Sequence, residues 1–147
     1  NFLFLFFLIL GNRNFNEPLD GIVYGVFVSL GFAWAENVIY VTHPILGGYE
    51  TAFARALLSV PGHGLFGVRM GYYFALGKYH SRKRYLPLAF FSPYLAHALY
   101  NYFLLKREPV FWLFFSVLEA RLWVFGLKRI KELQNCSPFR EKVSKES

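Results

Sequence analysis

Residues 20–42 run Asp20-Gly-Ile-Val-Tyr-Gly-Val-Phe-Val-Ser-Leu-Gly-Phe-Ala-Trp-Ala-Glu36-Asn-Val-Ile-Tyr-Val-Thr42. Between the two ends Glu36 is the one acid, and no Lys or Arg interrupts the run. A helix rises about 1.5 Å per residue, so roughly 20 such residues cross a hydrocarbon core about 30 Å thick. The stretch predicts a transmembrane helix that carries a carboxylate at membrane depth.

Working outward, three more runs of spanning length follow. One extends from about Thr51 to Lys78 and is interrupted at Pro61-Gly62; the others cover about Tyr85 to Leu105 and about Pro109 to Leu127. Between them lie turn-forming or charged segments, including His43-Pro44 through Gly47-Gly48, Ser81 to Arg84, and Lys106 to Pro109. Upstream, Phe2 to Leu10 is apolar but only about half of spanning length. The chain opens on Asn1, its only methionine is Met70, and no basic segment or small-residue cleavage site frames that first run. It reads as a first helix cut in half. The expected fold is all-α, a polytopic membrane helix bundle with four full transmembrane helices plus a truncated first one. These occupy residues 1–128, and a basic polar cytoplasmic tail follows over 129–147.

Composition agrees. The chain is 55% hydrophobic and 21% aromatic but only 17% charged, against about 25% charged in soluble domains. The net charge of +7 could mark a nucleic-acid binder, but its distribution points to a membrane instead. With the C-terminus inside, eleven of the sixteen Lys and Arg fall on the cytoplasmic side, and only Lys106 and Arg107 fall outside. That bias sets the orientation as a multi-pass protein of the cell membrane with its tail in the cytoplasm. The lone Cys136 forms no internal disulfide.

Ionisable residues inside spans are costly and usually face the bundle interior, paired or functional. Counting rise from the inner boundary places Glu36 at about 24 Å, His63 at about 22 Å, His97 at about 18 Å and Asn101 at about 24 Å. Three helices thus bring a carboxylate, two imidazoles and an amide to one outer layer. His97 and Asn101, at i and i+4, share a face. Gly25, Ser29, Ala33 and Glu36 form a small-residue stripe, and Gly67-x-x-x-Gly71 is a second signal of close helix approach. Lower down, Arg69, Glu119 and Arg121 lie about 9–14 Å from the inner face, where an Arg69–Glu119 ion pair is expected. Arg55, near the outer interface, is expected to snorkel.

Glu, two His and Asn form a set suited to hydrolysis. A carboxylate can act as base on water, and imidazole and amide donors can stabilise an oxyanion. Alternatively Glu36, His63 and His97 could hold a divalent metal such as zinc, which acidifies its bound water. No HExxH motif is present, which excludes a zincin-type site. From residue types alone, interhelical hydrogen bonds or a proton or ion path are the plainer reading, ahead of hydrolysis. A non-catalytic membrane protein and a proton- or ion-coupled transporter are therefore the alternatives.

The stretch Phe15-Asn-Glu-Pro-Leu-Asp-Gly-Ile-Val-Tyr-Gly, continuing to Gly31-Phe-Ala-Trp-Ala-Glu36-Asn37, resembles a signature of the PrsW family of intramembrane proteases. So do Arg55 through Pro61-Gly-His63-Gly-Leu-Phe-Gly67-Val-Arg-Met-Gly71, and His97-Ala-Leu-Tyr-Asn101. The family is similar to type II CAAX prenyl endopeptidases and bacteriocin-processing membrane proteins. The resemblance, over about residues 15–101, implies a protease that cuts a membrane-anchored protein such as an anti-sigma factor near the external face. It makes Glu36, His63, His97 and Asn101 the active-site residues and leaves metal use open. The family's paired Glu-Glu, which supplies the presumed base, does not occur in Asn1 to Leu10; an upstream segment is expected to carry it.

Overall fold

The computed structural model describes residues 13–43, 45, 48–79, 84–106 and 108–138. Within them the chain is helical, without strands: α1 (Pro18–Thr42), α2 (Tyr49–Ala54), a π-helical turn (Arg55–Ser59), α3 (Val60–Tyr79), α4 (Tyr85–Leu105) and α5 (Pro109–Asn135). The expected half-helix at Asn1 to Leu10 lies outside the described residues.

Local chemistry explains where the helices begin. Pro18 opens α1, where its missing N–H costs nothing. Glu17 and Asp20 form a reciprocal capping box, and Asp20 Oδ2 accepts from the backbone N–H of Asn16 and Glu17, each at 3.0 Å. The preceding Phe15 is buried against Phe74, Tyr24 and Tyr79, and its carbonyl accepts from Lys78 Nζ and Tyr79 Oη at 2.9 Å. The start of α1 is thus tied to the end of α3. Pro109 opens α5 in the same way.

The core is α3, which buries more than twice as many residues as any other helix. Its closest neighbour is α1, and the small-residue stripes meet there. A Cβ placed on Gly71 would stand 2.0 Å from the Gly21 carbonyl oxygen, and one on Gly25 would stand 2.5 Å from that of Gly67. Backbone therefore rests on backbone, an approach that only glycine permits. On the opposite side α4 and α5 close over α3 through Leu65, Phe66, Ala96, Tyr100, Phe115 and Leu122.

The outer surface is the reverse of a soluble protein's. Phe27 and Trp34 on α1 are each 72% exposed, and Val124 on α5 is 68% exposed. Both α1 and α5 are long and apolar enough to cross a membrane. Of the four full spans expected, these two meet that test. The other two, α3 and α4, have 20 and 21 residues, but prolines, histidines, tyrosines and Arg69 dilute their apolar character. Two boundaries also differ from expectation. The break anticipated at Pro61-Gly62 is instead a widened turn over Arg55–Ser59, because a helical proline removes a donor and crowds the carbonyl four residues back. The last helix continues past Leu127 to Asn135, since Ile130 and Leu133 keep packing on the core with Ile22 and Tyr72.

Candidate active site

The π turn controls which residues of this segment face α1. From Arg55 to His63 is eight steps, which in a regular α-helix leaves the two side chains roughly 80° apart. One residue absorbed by a π turn reduces this to about seven effective steps, within roughly 20° of two full turns. Both side chains accordingly reach the same atom. Arg55 Nη2 donates to Glu36 Oε2 at 2.7 Å, and His63 Nε2 meets the same oxygen at 3.1 Å. Arg55 Nε donates to Asn37 Oδ1 at 2.7 Å, and its guanidinium lies 4.1 Å over the Tyr40 ring. One carboxylate oxygen is thus held between a cation and an imidazole, and Oε1 remains outside both bonds.

Side-chain hydroxyls from two other helices bind the backbone on either side of Pro61. Tyr100 Oη donates to the Leu58 carbonyl at 2.6 Å, and Ser29 Oγ to that of His63 at 2.6 Å. These bonds join α4 and α1 to the backbone that carries the histidine. His63 itself is 3% exposed and is wedged between Phe32 and Phe66.

From α4, His97 sets its ring 4.9 Å from that of His63, nearly edge to face. Asn101, one turn on, places Nδ2 at 3.1 Å from His97 Nε2, which orients the imidazole and selects its tautomer. One donor atom each from Glu36, His63 and His97 lies within 4.8 Å of the others. The two histidines also line a cavity of about 210 Å3 whose other walls include Phe32, Phe66, Phe90 and Tyr94. It is a mostly aromatic chamber with two imidazoles in its wall.

A family model described as PrsW family intramembrane metalloprotease matches residues 2–125. The chain belongs to the PrsW family. It is similar to proteins named Protease PrsW from Geobacillus kaustophilus (40% identical over 87% of this chain and 56% of the relative), Oceanobacillus iheyensis (42%, over 88% and 59%) and Bacillus subtilis (38%, over 84% and 56%). The chain thus spans a little over half the length of these relatives. No solved structure matches it.

In this PrsW-family chain the structure brings Glu36, His63, His97 and Asn101 into one cluster from α1, α3 and α4. Two of the sequence expectations fail. Arg55 does not snorkel but grips Glu36 and Asn37, because the π turn swings it inward. Arg69 and Glu119 do not pair either. Arg69 Nε donates to Ser92 Oγ and its guanidinium stacks 4.7 Å over Phe125, whereas Glu119 accepts from Trp123 Nε1 at 3.0 Å. Shared depth put those two charges in one layer, but they point to different neighbours around the helices. A signal for Arg55 was available in Pro61, which forecasts a distortion in the turn before it.

Proposed function

We propose that this chain carries the catalytic cluster of an intramembrane endopeptidase that hydrolyses a membrane-anchored protein, of the anti-sigma-factor kind, near the external face of the cell membrane. The observation that carries this reading is the convergence of Glu36, His63 and His97 from three helices beside an aromatic cavity. Membership of a family described as intramembrane metalloproteases supports the reaction class.

The donor set suits a divalent ion. Two imidazoles and a carboxylate, with donor atoms within 4.8 Å of one another, are the ligand types of a catalytic zinc centre. Glu36, His63 and His97 would hold the ion, which when bound polarises a carbonyl and acidifies water. The chain's own residues do the rest. The aromatic walls exclude bulk water and receive an apolar substrate side chain. Arg55 offsets the charge of Glu36 and fixes its direction, and Asn101 holds His97 facing His63. With its Oδ1 turned to accept from an Nε2 proton, Asn101 would leave His97 Nδ1 unprotonated and free to hold the ion. Glu36 Oε2 is engaged by Arg55 and His63, which leaves Oε1 to hold the ion, so proton removal from water falls to the paired Glu-Glu that the family resemblance implies.

The test is cleavage of a single-pass substrate in proteoliposomes by the protein expressed from its complete gene, with fragments identified by mass spectrometry. Wild type cuts, a chelator stops it and zinc restores it, and His63→Gln is inserted but inactive. Cleavage by His63→Gln at the wild-type rate defeats the proposal. A gradient-dependent ion flux without cleavage favours the transporter alternative.

A further inference from the structure

A second cavity, of about 490 Å3, opens between α3 and α5 toward the end of the bundle where α1 begins. It is lined by Arg69 from α3 and by Arg121, Val124, Phe125, Lys128 and Arg129 from α5. Four of these side chains are cationic, and no carboxylate lines the cavity. On α5 the positions 121, 124, 125 and 128 follow one helical stripe. Phe125 lies between two guanidinium groups, 4.7 Å from that of Arg69 and 5.3 Å from that of Arg129. Stacking of this kind holds the cations in place and leaves their N–H groups free to bind.

The charge is only partly satisfied from within. Arg69 Nε donates to Ser92, and Arg129 Nη1 pairs with Glu132. Arg129 Nε is buried without a hydrogen-bond partner. Arg121 and Lys128 are exposed on a helix long and apolar enough to cross a membrane, beside the exposed Val117, Val124 and Leu127. A cation at the edge of the hydrocarbon is stabilised when it meets an anion at the headgroup level. Basic pockets between transmembrane helices on the cytoplasmic side are suited to phosphate headgroups, and the anionic inner leaflet supplies them.

We propose that this cavity binds the phosphate of an anionic phospholipid, whose acyl chains lie along the exposed apolar side of α5 toward Val117 and Leu113. The apolar wall continuous with the cations is what favours a lipid over a soluble phosphate. The site is separate from the Glu36 cluster and does not depend on proteolysis.

The test is native mass spectrometry of the full chain released from nanodiscs of equal parts phosphatidylglycerol and phosphatidylcholine. Phosphatidylglycerol should be enriched among the retained lipids. Each cation near the surface is worth about 5-fold, so the Arg121→Gln/Lys128→Gln double variant should lose about 25-fold of that enrichment. Both side chains are exposed, so the variant should fold, and Arg121→Lys/Lys128→Arg should keep the enrichment. Equal retention of the two lipids overturns the proposal, and so does undiminished enrichment in the Gln variant. Displacement of the lipid by inorganic phosphate also overturns it, by assigning the cavity to a soluble anion.

Discussion

A guanidinium and an imidazole share one oxygen of Glu36, with Arg55 Nη2 at 2.7 Å and His63 Nε2 at 3.1 Å. In a low-dielectric interior such a carboxylate is held in place by both partners, and loss of the cation leaves its charge uncompensated. Arg55→Gln should therefore cost about 1–3 kcal/mol, seen as a lower melting temperature in detergent, and should reduce cleavage. Arg55→Lys keeps the charge but cannot bridge Glu36 and Asn37 as one planar fork, so it should fall between the two. An unchanged melting temperature for both variants would remove Arg55 from the cluster. The four side chains Glu36, His63, His97 and Asn101 were legible because lipid makes polar residues at membrane depth conspicuous. Arg55 was not, since a cation near an interface ordinarily extends toward water and only the local backbone turns this one inward.

Among the elements, the segment from Tyr49 to Tyr79 carries the most information. Its π turn over Arg55–Ser59 precedes Pro61 and aligns Arg55 with His63. Pro61→Ala restores a donor and removes the reason for the distortion, so a regular helix should return and rotate Arg55 away from Glu36. Cleavage should drop at least about 10-fold, roughly the loss of one such polar contact, while helix content by circular dichroism stays constant. Full activity would show that the turn does not set the register. The α1–α3 seam gives a second prediction at this scale. A Cβ on Gly71 would be 2.0 Å from the Gly21 carbonyl oxygen, so Gly71→Ala must push two backbones apart, at a cost of about 1–3 kcal/mol. Unaltered thermal stability would contradict that packing. Helix existence was readable from apolar runs, and Tyr85–Leu105 matches to the residue. The extension of α5 to Asn135 was hidden because past Leu127 only one face remains apolar.

At the scale of the whole molecule, one central helix presents a histidine to a carboxylate on one side and to a second histidine on the other. The glycine seam sets α1 close enough for Glu36 to reach it. The contacts of Leu65, Phe66, Ala96 and Tyr100 set the height of His97. Exposed apolar side chains cover the outside, so the polar groups have few alternatives to meeting in the interior. Three residues from three helices should then behave as a unit rather than as independent contributors. The most direct test is the cleavage rate of a single-pass substrate with Glu36→Gln, His97→Gln and the double variant in proteoliposomes. Each single change should lower the rate at least about 100-fold, and the double change should be no worse than either. Losses that multiply, or a single variant that cuts as fast as wild type, would contradict one shared intramembrane site.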